Sequence, residues 1–200
     1  MPVIASSSLS AVVGKNPYQN RLSSILYLLR KDNYIQKNVT EKQNVNENSP
    51  TNLGIKNEPL ILKQWASENN YEISNTCTSK IKLFDIKQEW LLSGRPDAIL
   101  TNGDLVEIKY RTSNTNFNSI PIYDWIQVQS YLHIFNTKTC HYVQSFDGNL
   151  KYDIIEKDDV YWYKHLIPNV LEYAAIYESL CDNPTELQTF LYYASLETFT

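Results

Sequence analysis

The stretch Gly94-Arg95-Pro96-Asp97-Ala98-Ile99-Leu100-Thr101-Asn102-Gly103-Asp104-Leu105-Val106-Glu107-Ile108-Lys109-Tyr110-Arg111 decides how this chain is read. It divides into a short apolar strand over Ala98–Leu100, a turn on residues 101–104 and a second strand over Leu105–Tyr110. Asn-Gly between two apolar runs is the strongest short-range hairpin signal. The hairpin sets Asp97, just ahead of the first strand, beside the second strand as it returns. Side chains alternate along a strand with period two, so Glu107 and Lys109 share one face while Val106 and Ile108 occupy the other. The spacing therefore predicts that Asp97, Glu107 and Lys109 converge.

A solvated edge strand would show the same alternation, and the neighbourhood separates the two readings. An Asp after a proline, a tight hairpin and then Glu-x-Lys on one face resemble, in order and spacing, the pattern of the PD-(D/E)xK nucleases. The chemistry of those residue types is coherent. Two carboxylates and a main-chain carbonyl form a hard oxygen cage suited to Mg²⁺, with Mn²⁺ as a substitute. Asp97 and Glu107 are the expected ligands, and the Ile108 carbonyl, between Glu107 and Lys109, is the natural third. Lys109 is placed to orient or deprotonate a water and to offset charge that develops on a phosphate.

The rest of the composition bounds the function class. Two hundred residues suit one domain with a substantial core, read here as a single domain over 1–200. No 18-residue apolar run exists, which excludes a membrane-spanning helix, and the first residues lack the basic and apolar regions of a secretory signal. Cys77, Cys140 and Cys181 are far apart with no Cys-x-x-Cys pair, pointing to a reducing, intracellular compartment and away from zinc or an iron–sulfur cluster. The net charge of −4 is unequally shared. Residues 1–111 carry 14 Lys+Arg against 11 Asp+Glu, and residues 112–200 carry 4 against 11, so a basic surface must come from the first half.

Along the chain, Ser6, Ser7 and Ser8 precede an apolar cluster closed by Gly14, the start and stop signals of a short helix. A helix N-terminus is an anion site, which makes Ser7 and Ser8 candidate phosphate contacts, with Lys15 and Arg21 nearby. Residues 22–31 read as a helix, and 32–50 as a polar loop or mobile segment. A helix over 53–69 is expected, capped by Thr51-Asn52, with Leu53, Leu60, Ile61 and Trp65 on one face. Pro59 inside it moves the expected start toward Glu58. Strand-prone pieces over 71–78 and 81–86 lead into the central hairpin, where Arg95 is a further DNA-contact candidate. A helix opening at Pro121 or Tyr123 runs to Phe135, with Gln127 and Tyr131 on one face. Gln127 is suited to hold a ligand and a phosphate oxygen, and Tyr131 is weighed between core and DNA contact. A hairpin around Asp147-Gly148 follows, then C-terminal helices over 158–200, the first capped by Asp158 and the last by Thr185.

With these residues in place, the chain resembles the lambda-exonuclease-like, YqaJ-type viral recombinase group of the PD-(D/E)xK superfamily over most of its length. Residues 4–8 with Val12-Val13-Gly14 and Asn16-Pro17-Tyr18 look like the group's opening helix. Gly54-Ile55-Lys56-Asn57-Glu58 looks like its glycine-x-x-x-glutamate helix, whose Glu completes the metal site, and Gln127-Val128-Gln129 looks like its Gln-x-Gln helix. The resemblance implies an α/β, restriction-endonuclease-like core, a central mixed β-sheet flanked by α-helices. It also implies an Mg²⁺-dependent exonuclease that degrades linear double-stranded DNA from a free end, 5′ to 3′, in recombination or replication of viral or phage-like DNA. A single-strand annealing protein as partner and a ring-shaped homotrimer belong to the same implication, with host cytoplasm or nucleus as the setting. A junction-resolving or restriction-type endonuclease and a catalytically silent DNA-binding module are the alternatives. The intact Asp97, Glu107 and Lys109 argue against the silent module.

Overall fold

The computed structural model describes residues 2–35, 50–77, 82–87, 90–113, 115, 117 and 119–197. In chain order the elements are β1 (Val3–Ala5), a 3₁₀ turn (Ser6–Ser8) with α1 (Leu9–Val12), α2 (Arg21–Lys31), α3 (Pro50–Glu68), β2 (Ile73–Thr76), β3 (Lys82–Lys87), β4 (Trp90–Gly94), β5 (Ala98–Leu100) and β6 (Leu105–Tyr110). Then come α4 (Ile122–Phe135), β7 (Thr139–Phe146), β8 (Asn149–Glu156), α5 (Asp159–Tyr161) running through a π-helical turn (Trp162–Leu166) into α6 (Ile167–Asp182), and α7 (Pro184–Glu197). Positions 36–49 of the polar segment and residues 78–81 of the strand-prone pieces lie outside the described residues.

The central hairpin forms as its sequence dictates. Ala98 pairs with Val106 and Ile99 with Leu105. The Gly103 amide closes the turn on the Leu100 carbonyl at 3.0 Å, and Gly103 takes φ +90°, a conformation a side chain would disfavour. Strand order in the main sheet is β2-β5-β6-β7-β8, antiparallel except for the parallel β6–β7 pair. Parallel neighbours need a crossover, and α4 supplies it. The Asp147-Gly148 hairpin between β7 and β8 is of the tight two-residue kind, with both central φ values positive at 49° and 75°.

Helices cover both faces of this sheet. Ile61, Leu62, Trp65 and Ala66 of α3 pack with Val106, Ile108 and Val143 on one side. Val128, Tyr131 and Leu132 of α4 pack with Leu105, Cys140 and Tyr142 on the other. The outer side of α4 meets a second core, where Ile126 and Ile134 join Leu9, Leu29, Trp90, Trp162 and Tyr173. A helix enclosed from two sides is apolar nearly all round, which is why α4 lacks a clean amphipathic stripe.

Several local expectations are corrected. A second sheet, β1-β4-β3, was not foreseen; β1 runs parallel to β4 with Ile4 opposite Leu92. The serines form its exit rather than a helix cap. Among the described residues no side chain caps α1, and Ser6 is buried with its hydroxyl donating to the Ser93 carbonyl at 2.9 Å. α3 begins at Pro50 and continues through Pro59, so Thr51 and Asn52 lie inside the helix, and Leu60 is exposed while Leu62 takes its place in the core. The last helix is capped by Asn183, whose Oδ1 accepts the Thr185 and Glu186 amides at 3.1 and 3.3 Å, and not by Thr185. Asp158 does cap α5, accepting the Tyr161 amide at 2.8 Å.

Candidate active site

Asp97 is placed by the end of a strand. Its amide donates to the Val106 carbonyl at 3.0 Å, which extends the β5–β6 ladder by one step, and its carboxylate Oδ2 accepts the Ile108 amide at 2.6 Å. In extended backbone a residue's N–H and C=O point to the same edge, so the Ile108 carbonyl faces the Asp97 side as well. Glu107 stands on the α4 face of β6 and is only 3% exposed. Its Oε1 accepts the Lys109 ammonium at 2.7 Å. Its Oε2 is buried and has no hydrogen-bond partner among the described residues. Lys109 also donates to Gln127 Oε1 at 3.0 Å, and Gln127 Nε2 donates to the Tyr131 hydroxyl at 2.6 Å.

Glu58 reaches the same region from α3, half-buried and coupled by charge to both Glu107 and Asp97. Gly54 lies one turn earlier, where a Cβ would stand 3.3 Å from Glu58 Oε1. Asp97, Glu58 and Arg95 line the polar end of a cleft of about 480 Å³ whose wall is built by Ile55, Pro59 and Leu62.

The electrostatics are those of a site that lacks positive charge. Burial, then the neighbouring Asp97, push the Glu107 carboxyl up to about 8 against the pull of Lys109. Burial, then Glu58, raise Asp97 to about 6 despite the Ile108 amide. Glu58 is raised by burial and by Glu107. Burial alone would lower the Lys109 ammonium, but Glu107 and Asp124 overrule it and hold it above its ordinary value. Among the described residues no three His, Cys, Asp or Glu side chains are already gathered as a metal cluster. What the site offers a cation is the chemistry of its donors: hard carboxylate oxygens, one of them buried and without a hydrogen-bond partner among the described residues, on carboxyls whose charged form burial disfavours and a cation would favour.

The remaining candidates divide. Tyr131 is 4% exposed, packs in the α4 core and serves Gln127, so its ring has no surface to offer DNA. Arg21 is tied to α6, 3.4 Å from Glu172 Oε2, donating to the Asn169 carbonyl at 3.3 Å and lying over the Tyr173 ring. Ser7 and Lys15 are exposed, and Ser8 lines a separate cavity of about 300 Å³ with Ser24, Lys31 and Tyr173.

Sequence reasoning did not anticipate a buried polar frame beside Lys109. Asp124 Oδ2 accepts Arg111 Nη2 and the Tyr142 hydroxyl, each at 2.7 Å, and Arg111 Nε donates to Gln144 Oε1 at 3.0 Å. Arg111 continues the 107/109 alternation, and Asp124 is the sole acidic residue of an otherwise apolar or neutral helix, three residues before Gln127. Gln129 is also structural: its amide bridges the Glu156 carbonyl and the Asp158 amide, both at 2.8 Å.

Comparison with known proteins agrees with this architecture. No curated protein matches the sequence. An alkaline exonuclease from Laribacter hongkongensis has the same fold, with a TM-score of 0.71 at 15% identity, covering 94% of each chain, and its complex with dAMP is equally similar. A phage-related exonuclease from Haemophilus somnus gives a TM-score of 0.61 at 13% identity over 90% of this chain and 96% of that one. The sequence pattern of the YqaJ-like viral recombinase domain matches residues 2–139, and the chain therefore belongs to that family, a nuclease of the lambda-exonuclease type.

Proposed function

We propose that the protein is a Mg²⁺-dependent deoxyribonuclease that removes nucleotides from the ends of linear double-stranded DNA, in the 5′-to-3′ direction. The observation that carries this reading is the buried Glu107 Oε2, without a hydrogen-bond partner among the described residues, on a carboxylate coupled to Asp97 and paired with the Lys109 ammonium. Asp97 and Glu107, with the Ile108 carbonyl and Glu58, would hold the ion. A bound divalent ion supplies Lewis acidity at the scissile phosphate and a more acidic water. Lys109 then stabilises charge on the phosphate oxygens or orients the water, and the Gln127 amide fixes the ammonium through its Oε1. Arg95, at the polar end of the cleft, meets the DNA backbone; Ser7, Ser8 and Lys15 are the candidates for the terminal phosphate.

Family likeness supports a free DNA end as the recognised feature, a single-strand annealing protein as partner and a ring-shaped trimer as the working assembly. Two of the three cysteines, Cys77 and Cys140, are buried, which fits a reducing intracellular compartment. Among the described residues no helix is long and apolar enough to cross a membrane. The test compares linear duplex with a 5′-phosphate, the same duplex with a 5′-hydroxyl, closed circular duplex and a four-way junction, each with Mg²⁺ and with EDTA. The expected result is Mg²⁺-dependent loss of nucleotides from the linear duplexes, faster with the phosphate, and an intact circle. Cutting of the circle would replace this reading with an endonuclease, selective cutting of the junction with a resolvase, and binding without cleavage with a silent module.

A further inference from the structure

Asp124 is 4% exposed and uses its two oxygens differently. Oδ2 is saturated by Arg111 and Tyr142, which also touch each other, and Arg111 is braced in turn by Gln144. The Gln144 amide donates to the Phe117 and Ser119 carbonyls at 3.3 and 3.2 Å, so the carboxylate is fixed from β6, β7 and the loop before α4 together. Oδ1 faces Lys109 Nζ at 3.6 Å, an ion-pair distance but too long for a hydrogen bond. An ammonium has three donors, and Lys109 spends one on Glu107 and one on Gln127. The third has a rigid acceptor waiting roughly 0.7 Å beyond hydrogen-bond length.

Lys109 and a divalent ion would meet on one carboxylate, the ammonium on Oε1 and the ion on the open Oε2. Glu107 Oε1 is held by the ammonium, and a second positive centre on Glu107 would repel it. Lys109 stays in the site only if another anion receives it, because a half-buried ammonium stripped of its partner is costly. We propose that Asp124 is a positioning residue that takes over Lys109 when Glu107 is given to a divalent cation, so that filling the cation site and setting the working position of the lysine are one exchange. Arg111 and Tyr142 keep Asp124 in place for it. This inference rests on the metal-dependent reading of the site and concerns which residue makes the site fillable.

The experiment is a double-mutant cycle read by calorimetric titration of Mn²⁺, with no DNA present. Asp124→Asn should weaken Mn²⁺ binding about tenfold, since Lys109 then has nowhere else to go and stays on Glu107. Lys109→Ala should hold Mn²⁺ as well as the wild type or better. The combined variant should match Lys109→Ala, because Asp124 acts only through the lysine. On linear duplex DNA, Asp124→Asn should lower kcat with KM little changed. Should Asp124→Asn alone fail to fold because Arg111 is stranded, Asp124→Asn/Arg111→Gln removes both charges and is carried through the same cycle. Unchanged Mn²⁺ affinity in Asp124→Asn, or a combined variant that loses a further tenfold relative to Lys109→Ala, would overturn the exchange while leaving the metal site standing. A wild-type protein that binds no Mn²⁺ would overturn the metal-dependent function and the exchange with it.

Discussion

The Ile108 amide donates to Asp97 Oδ2 at 2.6 Å, which ties the first carboxylate of the site to the strand that carries the second. The bond makes Asp97 part of the β6 scaffold as well as a candidate ligand. Asp97→Ala should therefore remove cleavage and metal binding together and leave the Ile108 amide unsatisfied, at a cost of about 1–3 kcal/mol in urea unfolding. Asp97→Asn keeps an acceptor for that amide and should recover most of the stability without recovering metal binding. Equal loss of stability in both variants would mean that the amide contact is not what anchors the residue.

Glu107 and Lys109 should separate in metal titration. Glu107→Ala removes a ligand and should abolish Mn²⁺ binding and cleavage. Lys109→Ala should bind Mn²⁺ and still lose activity by about 10²–10³-fold, the size of effect expected when one group that stabilises developing charge is removed. The same loss of Mn²⁺ affinity in the two variants would show that the roles are assigned wrongly.

Stability of the metal-free protein should fall as pH rises from about 4 to about 8. Glu107 and Asp97 are raised to about 8 and about 6 in the folded state, above the 4.5 and 3.8 of free side chains. In that window the folded chain holds protons that the unfolded chain has released, so their contribution is complete below the unfolded values and is lost as pH passes the folded ones. Urea unfolding at several pH values should show a slope in the wild type that is flattened in Asp97→Asn/Glu107→Gln. Mn²⁺ affinity should rise over the same range, because the ligands must shed their protons. A pH-independent Mn²⁺ affinity would contradict the assignment.

Gly94 is where β4 meets α4. A Cβ there would stand 3.0 Å from both Tyr131 Cδ1 and Ile134 Cδ1, tighter than most packed side chains, so both neighbours must give way. Gly94→Ala should cost about 1–3 kcal/mol through overpacking. It should also lower activity, since Tyr131 holds Gln127 and Gln127 holds Lys109. Full activity in a destabilised Gly94→Ala protein would mean that this chain of contacts does not transmit the displacement.

The two arginines should behave differently on DNA. Arg95→Ala should weaken binding to all sequences and reduce the salt slope by about 1, the signature of a lost phosphate contact. Arg21→Ala should leave the slope unchanged and cost about 0–1 kcal/mol of stability, as for a partly exposed ion pair. A lowered slope in Arg21→Ala would return that residue to the DNA path.

What could be read from the sequence follows the distance over which information acts. The hairpin, the Glu107/Lys109 face and the pairing of Gln127 with Tyr131 depend on local periodicity, and each stands in the structure as the pattern requires. The convergence of Asp97 on β6 was legible because a hairpin brings neighbours together. β1 was not, since three residues of strand become a strand only by pairing with β4. The Asp124–Arg111–Tyr142 frame needs the crossover to lay α4 over β6 and β7, which no window of sequence contains. The ion pair of Arg21 was out of reach for the same reason, because its partner Glu172 is 151 positions away.

The pairing of β1 with β4 also bears on how the chain is made. Ser6 and the Ser93 carbonyl that it meets are 87 residues apart, so at about 5–20 residues per second the first strand leaves the ribosome roughly 4–18 s before its partner. Through that interval Ile4, buried to 3% in the finished protein, has no sheet to join. The small sheet is thus assembled only after β4 has followed β1 out of the ribosome, and until then the apolar side of β1 must be shielded from its neighbours.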